Sequence, residues 1–293
     1  MPMPRRDEQA TRLAWTAWQI AVGAGGIARA LTFPSGHVAA GLFVVARLHD
    51  TGHPPTERDR RRFLRRLAAA RVAVLLGTSA RLAGAIGRGL PPRLRAGAAA
   101  LAALETAGTL VLEWESQREM AGFGGYYQHI WLGSALAGGA VAGQVLTADD
   151  VAVERLTISI ARAYYGSLYS VSGVSKIRRS GRNALGPTVL RHAELTYGPE
   201  GAVLLPAGLL RAVGPAAVVL ECAAGPLAMS GRRAAAVSGA LLGLLHLGLF
   251  ARLRISFWHL AAPAVATLSG EVVAEHLRRL RPGARRGRAG RRR

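Results

Sequence analysis

Three side chains in this sequence are of a type that moves protons and stand in settings suited to it: Lys176, His129 and His246. Of the 38 lysines and arginines, Lys176 is the only lysine, at the end of an apolar run and just before Arg178 and Arg179. Arginine stays charged in any protein environment. A lysine that is partly desolvated, or set beside other cations, gives up its proton more easily and can act as a base. Histidine is the side chain most readily poised between acid and base near neutral pH. Together the three would form an acid–base site, with Lys176 as base or nucleophile and His129 and His246 assisting. The competing role for Lys176 is structural, an ammonium group anchoring a helix end at a membrane surface. No metal is expected: Cys222 is the single cysteine, which rules out an intrachain disulfide and a cysteine-based metal site. The residues name no cofactor.

These residues have to be positioned by membrane helices. Half of the chain is hydrophobic and the mean hydropathy is +0.21, yet the net charge is +21. That combination fits an all-α, multi-pass membrane bundle whose charges are gathered into loops and tails. A soluble nucleic-acid binder would share the basic balance but not the recurring apolar runs, each about 20 residues and so of bilayer length. The expected partner is therefore the lipid bilayer and not nucleic acid, and the expected location is the cell membrane. Runs built from Ala, Gly, Leu and Val, with few aromatics, suit close helix packing in lipid. The N-terminus shows no removable signal peptide, so the first span is expected to be an uncleaved anchor.

Expected spans are Leu13–Phe33, Leu67–Ile86, Leu94–Leu112, Tyr126–Leu146, Leu156–Val174, Ala202–Cys222, Ala234–Leu253 and Ile255–Val273. The bundle thus has about eight, over residues 13–277, between a cytoplasmic segment 1–12 and a polybasic tail 278–293. Pro34 should end the first span, and His37–Leu48, short for a crossing, reads as re-entrant or interfacial. The arginines from Arg58 to Arg66 read as an amphipathic helix on anionic headgroups. Glu105, a carboxylate inside a span, should pair with Arg71 or Arg81. Glu113–Tyr127 reads as a polar loop, and Arg182–Glu200 as an interfacial helix and turn. The arginine tail should bind anionic lipid headgroups. With N-terminus and tail in the cytoplasm, His129 and Lys176 both fall at the outer face, where Lys176 leaves the membrane. The arginines of Arg58–Arg66 then lie on the side that basic residues disfavour.

Gly173-Val174-Ser175-Lys176-Ile177, after a tyrosine-rich span, resembles the segment of the vitamin K-dependent gamma-glutamyl carboxylase superfamily that carries its catalytic lysine. Tyr126-Tyr127-Gln128-His129 is similar to the entry to the span where that family keeps a functional histidine, and His246 stands where it has another. The likeness covers roughly Leu13 to Leu268 and corresponds to the horizontally transferred transmembrane (HTTM) domain. It implies that Lys176 is the base and that the substrate is a lipid quinol or a peptide presented at the membrane. The chain departs from the pattern at Ser175, at Arg178 to Gly181 and at Leu249. Its end soon after the last span implies that the large soluble domain of the carboxylases is missing. Two other functions follow from the same residues. One is a non-catalytic accessory protein for maturation or export of a secreted peptide. The other is a small-molecule transporter using Glu105 with Arg71 or Arg81.

Overall fold

The computed structural model describes residues 5–32, 52–86, 91–119, 128–147, 149–187, 190–191, 194–195, 204–253 and 258–280. Regular structure among them is entirely helical. The helices are α1 (Arg5–Thr32), α2 (Glu57–Ile86), α3 (Pro92–Glu119), α4 (Gln128–Thr147), α5 (Asp150–Ser180), α6 (Ala207–Met229), α7 (Arg232–Leu253) and α8 (Trp258–Leu280), with a 3-10 segment over Gly181–Leu185. Each α-helix overlaps one of the expected apolar runs. Four are long and apolar enough to cross a membrane: α2, α3 over Arg93–Leu112, α6, and α7 over Arg232–Arg252. Among the described side chains, α4 contributes the apolar stretch Leu132–Thr147.

Several boundaries differ from the expectation, each for a local reason. The arginines from Arg58 to Arg66 are not a separate surface helix; they are the first turns of α2. Thr56 and Asp59 cap that helix reciprocally, the Thr56 hydroxyl accepting from the Asp59 N–H at 3.2 Å and Asp59 accepting from the Thr56 N–H at 3.1 Å. No Gly or Pro interrupts the chain from there to Leu67, and Phe63 and Leu67 are buried with Ala30, Ala70, Val74 and Leu112. Likewise the first half of the expected loop Glu113–Tyr127 continues α3 to Glu119. Pro206 sets the start of α6 later than Ala202, and Pro226 lies inside the helix without ending it. At the termini, α1 begins at Arg5 and α8 runs on to Leu280, so both flanking segments are partly helical. His37–Leu48 and Arg281–Arg293 lie outside the described residues.

The chain divides into two compact units, Met1–Trp18 with Glu154–Arg293, and Gln19–Val153. In the second unit α2 and α3 approach through glycine. A Cβ on Gly77 would stand 2.6 Å from the Leu101 carbonyl oxygen, and one on Gly108 would stand 2.8 Å from that of Ala70. Such contact brings Arg81 against Glu105, and sequence reasoning about Glu105 holds: its partner is Arg81. Arg81 donates through Nε to Oε2 at 2.6 Å and through Nη2 to Oε1 at 3.0 Å. Both side chains are wholly buried. Arg81 also donates to the Gln19 side-chain oxygen, and Gln19 donates onward to the Ala137 carbonyl at 3.2 Å. A two-pronged guanidinium pair whose third nitrogen also donates is a form in which a buried ion pair is tolerated.

In the first unit, α5 and α6 meet through small residues. A Cβ on Gly173 would lie 2.7 Å from the Cys222 nitrogen, and one on Gly166 would lie 2.8 Å from the Ala228 Cβ. Between them sits Ser170. Pro226 has no N–H, so the Cys222 carbonyl loses its helical donor. The Ser170 hydroxyl replaces it, donating to Cys222 O at 2.9 Å while accepting from the Gly225 N–H at 2.8 Å. A polar side chain of the neighbouring helix thus satisfies the backbone that the proline frees, as proline inside an apolar helix requires.

Candidate functional site

Tyr165, Tyr169, Gly173 and Lys176 recur along α5 at helical spacing and so share one face. Gly173 lets that face touch α6, which places the next polar group on the stripe, Lys176, beside Glu221. The Lys176 ammonium donates to both Glu221 carboxylate oxygens at 2.5 Å. The Lys176 side chain is 37% exposed and that of Glu221 only 10%. Two turns earlier on α5, the buried Tyr169 hydroxyl and His246 Nε2 of α7 are hydrogen-bonded at 2.6 Å. Their rings meet edge to face at 5.6 Å between centroids. The two pairs lie on one face of α5, two helical turns apart.

The structure therefore brings Lys176 and His246 into one polar cluster spread over α5, α6 and α7. His129 stands in the first turn of α4, within the other unit, and its side chain lies outside the described residues. The helix carrying Lys176 continues past the apolar run that ends at Val174, as far as Ser180, so the ammonium stands alongside Glu221 of α6. Glu221 and Tyr169 had no assigned role in the sequence reading. A signal for Glu221 was present all the same: a lone carboxylate inside the apolar run Ala202–Cys222, the same anomaly that marks Glu105.

Chemically, the Lys176–Glu221 pair is net neutral both as ammonium with carboxylate and as amine with carboxylic acid. A proton moving within it changes no net charge, an advantage where isolated charge is expensive. The Tyr169–His246 hydrogen bond offers a second path for a proton. Among the described residues, no group of three or more His, Cys, Asp or Glu side chains is placed to hold a metal ion. Comparison with protein-family models, curated proteins and solved structures finds no match to the chain.

Proposed function

We propose that the chain is a multi-pass membrane protein of about eight spans, seated in the cell membrane, in which Tyr169, Lys176, Glu221 and His246 form an acid–base site. The reading is that of an enzyme, Lys176 serving as the base that takes a proton from a substrate reaching it through the bilayer. That substrate is a lipid quinol or a membrane-presented peptide, in line with the resemblance of Gly173–Ile177 to the HTTM and gamma-glutamyl carboxylase superfamily. One observation carries it: the sole lysine pairs with Glu221 on the face of α5 from which Tyr169, two turns away, meets His246. In this reading Glu221 holds Lys176 in place and exchanges a proton with it, while His246 and Tyr169 hold the proton that must leave or return.

A second reading keeps the protein non-catalytic, an accessory for maturation or export of a secreted peptide, with Lys176–Glu221 as a clamp between α5 and α6. It is favoured by the second unit, where Arg81–Glu105 is such a clamp between α2 and α3. Replacing Lys176 by arginine separates the two. Arginine keeps the charge and can still pair with Glu221, but it does not give up its proton. Lys176→Arg should abolish whatever phenotype the intact gene rescues in a deletion strain, with membrane abundance unchanged, and Lys176→Ala should do no worse. Full rescue by Lys176→Arg removes the enzyme reading and leaves the accessory one.

A further inference from the structure

A cavity of about 240 Å³ opens at the start of α7 against the last turns of α8, lined by Arg232, Arg233, Glu271, Glu275, His276 and Arg279. Its carboxylates are already engaged. Glu271 accepts from Arg162 at 2.6 Å and from Thr11 at 2.9 Å and pairs with Arg232 at 3.2 Å. Glu275 pairs with Arg279. Arg233 has no ion pair among the described residues and is exposed. Two arginines in the first turn of a helix also stand at the wrong end of its dipole, which favours anions there, and α7 has no acidic residue in that turn. Their positive potential is answered by Glu271 for Arg232 alone.

The surface leading away from Arg233 is apolar. Val237, Leu241 and Leu244 follow it at helical spacing, so they continue the same face of α7, and all three are exposed. A cationic group above an exposed aliphatic stripe, at the end of a helix able to cross a membrane, matches one kind of molecule: an anionic headgroup joined to an acyl chain.

We infer that this cavity is a binding site for the phosphate of an anionic phospholipid, held by Arg233 with Arg232 and Arg279 beside it, while an acyl chain lies along Val237, Leu241 and Leu244. The site rests on reading the bundle as membrane-embedded and on no role for Lys176. It is distinct from the arginine tail, whose attraction for lipid needs no defined pocket. Arg233 is the residue to change, because Arg232 and Arg279 also hold Glu271 and Glu275.

The test uses the full chain in a non-ionic detergent, with bound lipid counted by native mass spectrometry during titration with phosphatidylglycerol or phosphatidylcholine. A thermal-shift series with inorganic phosphate runs alongside. Phosphatidylglycerol should bind more tightly than phosphatidylcholine. Arg233→Gln should weaken that binding about tenfold, the worth of one lost charged hydrogen bond, and Arg233→Lys should retain most of it. Arg211→Gln, an equal loss of charge at an exposed position in the first turns of α6, should leave it unchanged. Equal weakening by Arg211→Gln, or none by Arg233→Gln, overturns the site. Protection by inorganic phosphate as strong as by phosphatidylglycerol overturns the lipid in favour of a soluble phosphate. Release of the protein from membranes by alkaline carbonate without detergent would instead overturn the membrane reading itself.

Discussion

Because Lys176 is the only lysine, its reactivity can be read without interference from any other side-chain amine, and Glu221→Gln becomes the sharpest perturbation of the cluster. An amine held by a carboxylate must leave that contact before it is acylated, and both Glu221 oxygens stand 2.5 Å from the Lys176 nitrogen. The strength of that hold is bracketed by two limits. Breaking a fully buried ion pair costs about 3–5 kcal/mol, and an exposed pair contributes about 0–1 kcal/mol. With Glu221 nearly buried and Lys176 37% exposed, the pair falls between the limits. We take about 2 kcal/mol. Glutamine keeps the size of Glu221 and removes its charge, so the side chain of Lys176 is released from the pair and its acylation should be about thirtyfold faster, the equivalent of that interaction energy. The assay is brief treatment of the detergent-solubilised protein with an isotope-coded acylating reagent at neutral pH. Mass spectrometry then quantifies the peptide bearing Lys176, with the α-amino group as internal reference. Lys176→Arg supplies the blank. An acylation rate unchanged or lowered in Glu221→Gln would refute the pairing and, with it, the cluster built on it.

Two further substitutions test the packing that positions these groups. Gly173→Ala places a methyl 2.7 Å from the Cys222 nitrogen, so α5 and α6 must separate, at a cost of about 1–3 kcal/mol. Gly97→Ala in α3, with nothing within 4 Å of the new methyl, should instead stabilise by about 0.5–1 kcal/mol. Thermal unfolding of the solubilised variants gives both signs. In the other unit, Glu105→Gln leaves the Arg81 guanidinium buried without its counter-charge and should lower stability by about 3–5 kcal/mol. The double variant Arg81→Met/Glu105→Leu should recover most of the loss in the same measurement.

The helices were legible because each is a local property of the chain. A run of bilayer length such as Leu67–Ile86 or Ala234–Leu253 must hydrogen-bond its own backbone if it is to sit in lipid, and the helix does so wherever it folds. The start of α6 just after Pro206 follows from a missing N–H and a fixed φ, although the apolar run suggests Ala202. The same reasoning narrowed the partner of Glu105 to two arginines. Choosing Arg81 required the crossing of α2 and α3 at Gly77, which no pattern within either helix encodes.

Lys176 drew notice by composition alone, as one ammonium among arginines, but its partner was not legible. Apolar periodicity ends at Val174, whereas the hydrogen-bonded helix continues to Ser180 and keeps the lysine alongside α6. Its partner Glu221 is 45 positions away in sequence, and the contact exists only because Gly173, Ser170 and Gly225 let two backbones come close. His246 reaches Tyr169 through the antiparallel return of α7 after the turn at Gly231. Sequence alone therefore determined an all-α chain and singled out Lys176 and His246 within it. Which of them meet was left to the tertiary structure, because interhelical contact depends on helix crossings and the turns between them rather than on the spacing of residues along one helix.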